Sequence, residues 1–367
     1  MVVGANRTAA YFPILKDKEF ALVANQTSVI FTPDGHWVHL ADSLLQAGLK
    51  LQKVFAPEHG FRGQVDAGEK VTDGTDPRTG LPVLSLYGAN RKPRPEQLEG
   101  LDLVVFDIQD VGVRFYTYIA TLQLVMEACA GAGIPILVLD RPNPNGHYVD
   151  GPVMEKEHRS FLGMTEIPLV YGMTIGEYAK MINAEGWLDG GLRADLKVIP
   201  LEGYDRESTY TLPIPPSPNL PNAQAVRLYP SLGLFEGTHV NAGRGTDLQF
   251  QCFGAPFLEA SHFEFSYVPQ PRPGATHPKQ EGLTCHGRDL SKVNPPDAVD
   301  LKWLLEAYTY RDPDAPFFKT SGFTRHAGTE LLQKQIEAGW DAARIQTSWQ
   351  EPLEAFKKIR EKYLIYD

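Results

Sequence analysis

The stretch Leu51-Gln-Lys-Val-Phe-Ala56 runs directly into Pro57-Glu-His-Gly-Phe-Arg-Gly63. Its apolar part has the length and composition of a buried strand, which the proline ends. Glu58, His59 and Arg62 then follow in quick succession, and the neighbouring glycines permit a tight loop. A carboxylate, an imidazole and a guanidinium crowded at a strand end are unsuited to a core. The stretch therefore predicts a buried strand that delivers a functional site.

Two later apolar runs end in the same way. The strand predicted at 101–106 runs into Asp107 and Asp110, and the strand at 134–139 runs into Asp140-Arg141-Pro-Asn143. In open α/β sheets ligands bind beyond the carboxyl ends of the strands. We therefore expect the three polar clusters to share one rim of a sheet.

Strand and helix periodicities alternate along the first two-thirds of the chain. Further strands are predicted at 20–24, 82–87 and 195–200, and helices at 37–49, from Pro95, at 118–131 and after Thr174, with a long loop at 63–80. Thr174 and Glu177 have the spacing of a capping box. This alternation predicts an α/β fold with a parallel sheet covered by helices on both faces.

The composition changes at 212–221, where prolines stand at 213, 215, 216, 218 and 221. Such a segment follows an extended path and is incompatible with a helix interior. We place a domain boundary here, which gives an N-terminal domain of residues 1–212 and a smaller α+β domain of residues 213–367. Helices are predicted in the second domain at about 297–308, 326–338 and 350–363.

The bulk properties exclude several classes of protein. A net charge of −10 and a pI near 5.5 argue against a nucleic-acid partner. No run of apolar residues is long enough to predict a membrane span. The N-terminus has no basic region followed by an apolar one. We expect a periplasmic or secreted protein from which a signal peptide has been removed, with the cytoplasm as the alternative.

Motifs for cofactors, metals and nucleophiles are missing from the sequence. Ala24-Asn25-Gln26-Thr27-Ser28 follows the first strand, where a dinucleotide-binding protein carries GxGxxG. GxxxxGK[ST], GxSxG and HExxH do not occur either. Cys129, Cys252 and Cys285 lack the spacing of a zinc site. We therefore predict neither a cofactor nor a metal ion.

A second polar cluster lies beyond the proline-rich segment, in Phe235-Glu-Gly-Thr-His-Val-Asn-Ala-Gly-Arg244. Glu236, His239, Asn241 and Arg244 fall within one short glycine-containing stretch, which suits a loop close to a ligand. The aromatic residues Phe115, Tyr116 and Tyr118, which follow Arg114, could belong to the core, but with polar neighbours they also suit a platform for the apolar face of a sugar ring.

Carboxylates, tyrosines and arginines without cofactor motifs fit carbohydrate hydrolysis. That reaction needs a protonated carboxylic acid near the leaving oxygen and a second carboxylate as base or nucleophile. Our hypothesis makes Glu58 the general acid and either Glu236 or Asp107 the second carboxylate. If Glu236 is that group, closure of the two domains assembles the pair.

Each of these residues also has a structural interpretation. Glu58 could be a surface acid or an ion-pair partner of Arg62, Asp107 could bond loop amides, and Asp140 with Arg141 could form an ion pair. The candidate substrate-binding residues are the polar groups of these clusters: Asn25, Gln26, His59, Arg62, Gln109, Arg114, Tyr116, Tyr118, Asp140, Arg141, Asn143, His239, Asn241 and Arg244.

Four motifs in order resemble those of the exo-β-N-acetylmuramidases, a family long known only as a bacterial domain of unknown function. They are Ala56-Pro-Glu-His-Gly-Phe-Arg-Gly63, Phe106-Asp-Ile-Gln-Asp-Val-Gly-Val-Arg-Phe-Tyr-Thr-Tyr118, Leu139-Asp-Arg-Pro-Asn-Pro-Asn-Gly146 and Phe235-Glu-Gly-Thr-His-Val-Asn-Ala-Gly-Arg-Gly-Thr246. The resemblance covers nearly the whole chain. It implies a Rossmann-like domain, a smaller α+β domain and a site in the cleft between them.

The resemblance also implies a substrate, the terminal N-acetylmuramic acid of peptidoglycan fragments that carry muramic acid and glucosamine sugars. The lactyl carboxylate of that sugar should bind an arginine in a bidentate manner, with Arg62, Arg114, Arg141 and Arg244 as candidates. The alternatives are a protein that binds wall fragments without cleaving them, and an amidase or esterase.

Overall fold

A mainly parallel sheet forms the centre of the N-terminal region in the computed structural model, which describes residues 1–32, 34–62, 72–208 and 210–367. Residues 63–71 of the predicted loop at 63–80 lie outside the described residues. The strands are β1 (Phe20–Ala24), β2 (Val29–Phe31), β3 (Trp37–His39), β4 (Leu51–Ala56), β5 (Gly74–Thr75), β6 (Pro82–Ser85), β7 (Leu103–Asp107), β8 (Ile136–Leu139), β9 (Asp150–Val153), β10 (Pro168–Val170), β11 (Leu196–Ile199), β12 (Cys252–Ala255), β13 (Phe265–Tyr267) and β14 (Cys285–Asp289).

The α-helices of the described residues are α1 (Thr8–Leu15), α2 (Leu40–Gln46), α3 (Pro95–Leu98), α4 (Tyr118–Ala132), α5 (Ile175–Ala184), α6 (Ala223–Leu232), α7 (Lys302–Thr309), α8 (Thr320–Ala327), α9 (Leu331–Glu337), α10 (Ala342–Ser348) and α11 (Gln350–Arg360). Short 3₁₀ helices occur at Gly4–Asn6, Lys156–His158, Asp189–Gly191, Gly233–Gly237 and Glu361–Tyr363. No helix in these described ranges is long and apolar enough to cross a membrane.

The described strands of the central sheet lie in the order β11-β8-β7-β1-β4-β6-β5. Every pairing in it is parallel except that of β5 with β6. The carboxyl ends of β1, β4, β7 and β8 therefore meet at one edge, as the sequence predicts. The expected α/β class is confirmed.

Side chains alternate between two cores along β1. Ala21 and Val23 belong to the core on one face, which also contains residues of α4 and α5. Phe20, Leu22 and Ala24 belong to the core on the other face, with residues of α1 and α2. This period-two alternation covers both faces of the sheet. The first core continues without a break into the C-terminal region.

The predicted helix at 37–49 is wrong in its first turn. Residues Trp37–His39 form β3, which pairs antiparallel with β2, and the helix begins only at Leu40. His39 caps it, because its ring Nδ1 accepts a hydrogen bond of 3.2 Å from the backbone N–H of Ala41. The capping box of Thr174 and Glu177 on α5 is confirmed.

The C-terminal region contains the antiparallel sheet β12-β14-β13 and helices α6 to α11. A single helix predicted at 326–338 is instead the end of α8 followed by α9. Gly328 separates them because it adopts a left-handed φ of 81°, which ends an α-helix.

Candidate functional site

The loop after β4 brings Glu58 to the carboxyl edge of the sheet. The backbone turns sharply there, with the N–H of Gly60 donating to the carbonyl of Pro57 at 3.0 Å. His59 has a left-handed φ of 69° although it carries a side chain and is buried. Non-glycine residues rarely adopt that conformation, and it concentrates at functional sites. The Glu58 carboxylate accepts a hydrogen bond of 2.8 Å from the hydroxyl of Thr117, which precedes α4.

Glu236 approaches the same space from the C-terminal region, on the 3₁₀ helix Gly233–Gly237. One carboxylate oxygen accepts a hydrogen bond of 2.8 Å from Arg244, and the other lies 3.6 Å from the ammonium of Lys279. Burial by itself raises the pKa of Glu236, but the charges of Lys279 and Arg244 outweigh it and lower the pKa to about 2. Glu236 is therefore an ionised carboxylate at neutral pH.

Both carboxylates line one cavity of about 300 Å³. Its lining residues come from both regions of the chain: Glu58, His59, Tyr87, Arg91, Phe115, Tyr116, Thr117, Ser160, Phe161, Leu162, Ser217, Asn219, Leu220, Tyr229, Glu236, Arg244, Phe250, Arg325 and His326. Burial raises the pKa of the Tyr229 hydroxyl, and the negative charges of Glu236 and Glu58 raise it further. The charges of both carboxylates therefore act on the Tyr229 hydroxyl.

The cavity brings together Glu58, His59, Tyr116, Glu236 and Arg244 from the residues predicted by sequence. The sequence reasoning missed Tyr87, Arg91, Phe161, Tyr229 and other lining residues. Tyr87 ends the strand predicted at 82–87, so its position at a strand end was a usable signal. Arg91, Phe161 and Arg325 stand in no motif, and only the fold places them at the cavity.

Asp107 lies elsewhere, so it is Glu236 and not Asp107 that shares a cavity with Glu58. It is fully buried and forms a bidentate ion pair with Arg141, at 2.6 and 2.8 Å. Neither residue lines the cavity. Because a buried charge needs a partner, Asp107 and Arg141 satisfy each other beneath the edge of the sheet. Arg141 thus forms an ion pair, but its partner is Asp107 and not Asp140, the partner considered from the sequence.

The crevice between the carboxyl ends of β1 and β7 is closed by the chain itself. Asn25 accepts hydrogen bonds from the backbone and hydroxyl of Thr27, and the Thr27 hydroxyl accepts one of 3.0 Å from the backbone of Gln109. Connections leave β1 and β7 in opposite directions, so this is the topological switch point where doubly wound folds bind ligands. Asn25 and Gln109 fill it, and the cavity lies instead beside β4.

Two other predicted arginines form ion pairs or hydrogen bonds within the protein. Arg62 pairs with Asp76 at 2.7 Å and with Asp42 at 3.2 Å. Arg114 is buried and donates to the backbone carbonyls of residues 152, 167, 326 and 327 at 2.7–2.9 Å. Neither arginine lines the cavity. Contact of either arginine with the substrate stays a prediction that these bonds do not favour.

Four further predicted residues hold the framework. Asp140 accepts hydrogen bonds from Thr174 at 2.7 Å and Tyr366 at 2.6 Å, and Asn143 donates to the carbonyl of Met173 at 2.8 Å. His239 and Asn241 belong to the loop after Glu236 and do not line the cavity. Both are bonded within the protein: the His239 backbone N–H donates to the carbonyl of Phe317, and the Asn241 side-chain amide donates to the carbonyls of Arg244 and Lys279. The Asn241 side-chain oxygen accepts a hydrogen bond of 3.1 Å from the Tyr267 hydroxyl.

Gln26 and Tyr118 position the proline-rich segment. The Gln26 amide and the Tyr116 hydroxyl donate to the carbonyl of Pro216 at 3.0 and 2.8 Å. Tyr118 lies within 3.5 Å of the carbonyls of both Glu58 and Pro216. Because Ser217 and Asn219 of this segment line the cavity, the predicted linker is a wall of the site.

Within the described parts of the chain, no three His, Cys, Asp or Glu side chains come together in a way that could hold a metal ion. The fold and the cavity define a class: a two-region α/β protein with a pair of carboxylates and several aromatic rings in its cleft. Such a lining suits a carbohydrate.

Comparisons with known proteins identify the family. Family models for the N-terminal and C-terminal parts of the exo-β-N-acetylmuramidase NamZ match residues 20–224 and 227–366. The peptidoglycan β-N-acetylmuramidase NamZ of Bacillus subtilis (strain 168) is 38% identical over 378 residues, which cover 96% of this chain and 90% of the relative. This chain belongs to the exo-β-N-acetylmuramidase family.

Two crystal structures of DUF1343 family proteins from Bacteroides fragilis NCTC 9343 have the same fold. One is 42% identical with a TM-score of 0.91, and the other is 27% identical with a TM-score of 0.81. Each comparison covers 100% of this chain and 99% of the crystallised one.

Proposed function

We propose that this protein is an exo-acting glycoside hydrolase that releases β-linked N-acetylmuramic acid from the non-reducing end of peptidoglycan fragments. The observation that carries the proposal is the presence of Glu58 and Glu236, from two regions of the chain, in one cavity. Membership of the exo-β-N-acetylmuramidase family supplies the sugar and the linkage.

The surroundings of the two carboxyl groups suggest which one is the general acid and which one is the base or nucleophile. A glycosidase needs one group that carries a proton and one that is ionised. Lys279 and Arg244 keep Glu236 ionised, so Glu236 takes the part of base or nucleophile. Glu58 is then the general acid. Its proton passes to the glycosidic oxygen as the bond from that oxygen to the anomeric carbon breaks. Water supplies the hydroxyl of the released sugar, and its other proton returns to the pair of carboxyl groups.

The size and lining of the cavity suit an exo-acting enzyme. Its volume of about 300 Å³ lies at the lower end of ligand pockets, which suits one terminal sugar better than a chain of sugars. Phe115, Tyr116, Tyr229 and Phe250 contribute aromatic surface to it. Ring faces of this kind pack against the apolar face of a pyranose.

The direct test is release of the chromophore from an aryl β-N-acetylmuraminide, with the corresponding glucosaminide in parallel. We expect the wild-type protein to cleave the muraminide selectively. Glu58→Gln should reduce turnover by about 10²–10⁴-fold, because general acid catalysis typically supplies that factor. Glu354→Gln changes an exposed carboxylate on α11 and is the matched control, which should keep wild-type turnover.

Three results would contradict the proposal. Turnover by Glu58→Gln within about tenfold of wild type would remove Glu58 from the role of acid. Binding of a muramyl disaccharide without cleavage would favour a wall-fragment binding protein. Release of peptide or acyl acid instead of sugar would favour an amidase or esterase.

A further inference from the structure

The arginines that line the cavity differ in whether they already have an ionic partner. Arg244 is paired with Glu236, as described above. Arg91 and Arg325 also line the cavity, and the guanidinium of neither makes an ion pair or hydrogen bond with any residue that the structure describes. A guanidinium without a carboxylate partner in a ligand cavity is available to an anionic ligand. The candidates for binding an anionic ligand in this cavity are therefore Arg91 and Arg325.

Arg91 is the one that the structure holds in place. Its guanidinium lies 4.4 Å from the centre of the Phe161 ring, and both residues line the cavity. Stacking on an aromatic face fixes the plane of a guanidinium while its N–H groups remain free to donate. Arg91 and Arg325 are both exposed, but Arg325, near the end of α8, stacks on no aromatic ring among the described residues. Arg91 is therefore the better-organised of the two.

The charges of Arg91 and Glu58 both act on Tyr87, which lines the cavity with them. Burial raises the pKa of the Tyr87 hydroxyl, the Glu58 carboxylate raises it further, and the charge of Arg91 opposes that effect. Tyr87 thus lies close to both groups, with its ring centre 6.3 Å from that of Phe161. A sugar whose glycosidic oxygen meets Glu58 therefore occupies the cavity that Arg91 also lines.

Charge balance in the cavity points the same way. A protein with a net charge of −10 repels an anionic sugar unless a cation in its cavity attracts that sugar. Arg244 and Lys279 are committed to Glu236. Arg91 supplies positive charge that no described carboxylate neutralises.

We propose that Arg91, stacked on Phe161, binds the carboxylate of the terminal sugar and so distinguishes an acidic N-acetylated hexosamine from its neutral counterpart. The inference rests on the proposed function, because the lactyl carboxylate of N-acetylmuramic acid is the group in question. It replaces Arg62, Arg114, Arg141 and Arg244 as candidates, since each of those is bonded to the protein itself.

The test compares Arg91→Met with Arg325→Met, the other unpaired arginine of the cavity. The measured quantity is the ratio of kcat/KM for the aryl β-N-acetylmuraminide to that for the glucosaminide. We expect Arg91→Met to lower this ratio about 10- to 100-fold, as for loss of a hydrogen-bonded charge. Arg325→Met should keep the wild-type ratio. Arg91→Lys keeps the charge without the planar fork and should fall between.

A binding measurement separates failure of this inference from failure of the proposed function. Calorimetric titration with free N-acetylmuramic acid and with N-acetylglucosamine needs no cleavage. Wild-type preference for the acidic sugar that disappears in Arg91→Met supports the inference even if neither glycoside is hydrolysed. An unchanged preference in a folded Arg91→Met protein, or its loss in Arg325→Met instead, would overturn it.

Discussion

At the scale of single residues, neighbouring charges decide the protonation state of a carboxylate. Glu236 is largely buried, and burial alone raises the pKa of a carboxyl group. Lys279 and Arg244 reverse the direction and bring it to about 2. The sequence places Glu236 and Arg244 in one loop, whereas Lys279 reaches the site from a segment that no motif marks.

Arg244→Met should move the acidic limb of the pH profile of kcat/KM to higher pH. The proposed reaction needs Glu236 ionised, so activity falls when the pH drops below the pKa of Glu236. Removing the Arg244 charge raises that pKa and makes the fall begin at a higher pH. Arg244→Lys keeps a cation and should shift the limb less. Superimposable profiles for wild type and Arg244→Met, after scaling, would contradict this account of Glu236.

At the scale of elements, α8 is fastened to the N-terminal region by one buried arginine. Arg114 donates to the carbonyls of His326 and Ala327 at the end of α8 and to two carbonyls of the region around β9 and β10. Burial lowers its pKa to about 9, so it remains charged at neutral pH. Helix-terminal carbonyls carry partial negative charge and suit a cation. This clamp positions the helix that brings Arg325 and His326 to the cavity.

Arg114→Met should lower the free energy of unfolding by about 3 kcal/mol or more, because each buried carbonyl that loses its donor costs about 1–3 kcal/mol. Denaturant unfolding measures the loss, and amide hydrogen exchange across α8 should accelerate before the rest of the chain opens. Arg325→Met on the same helix changes an exposed side chain and should stay within about 0.5 kcal/mol of wild type. Equal stability of the two variants would show that Arg114 does not clamp α8.

At the scale of the whole molecule, the C-terminus returns to the central sheet. The Tyr366 hydroxyl donates to the Asp140 carboxylate at 2.6 Å and accepts a hydrogen bond of 2.8 Å from the backbone of Leu201. Burial raises the pKa of Asp140 to about 6, and the hydroxyls of Tyr366 and Thr174 limit the rise. The last residues of the chain thus complete the surroundings of a carboxylate that follows β8.

Tyr366→Phe should destabilise the protein by about 1–2 kcal/mol, and more at pH 8 than at pH 5. A carboxyl group whose folded pKa exceeds its unfolded value makes the folded state hold more protons, so stability falls as the pH rises through the window from 3.8 to about 6. Losing the Tyr366 donor raises the folded pKa further and extends that window upwards.

Unfolding free energies at the two pH values measure the effect. Tyr363→Phe, whose hydroxyl bonds the partly exposed Glu185, is the control and should show a smaller loss. A loss for Tyr366→Phe that does not depend on pH would contradict the assigned role of Asp140.

Much of the fold follows from local patterns in the sequence. The strands at 20–24 and 51–56 and the capping box of α5 are where the periodicity predicts them. The helix predicted at 37–49 fails in its first turn because pairing with β2 outweighs local helical spacing. The boundary near residue 212 and the location outside the cytoplasm stay predictions.

The sequence by itself determined the β/α alternation, the polar strand ends and the resemblance to the family, and it predicted Glu58 with either Glu236 or Asp107. Only the tertiary structure decided which polar residues line the cavity and which of its arginines have no ion-pair partner among the described residues. The physical reason is that periodicity along the chain encodes which face of an element is buried, whereas a bonding partner can lie far away in sequence. Arg114 and His326 are separated by 212 positions, and no local pattern reveals that they meet.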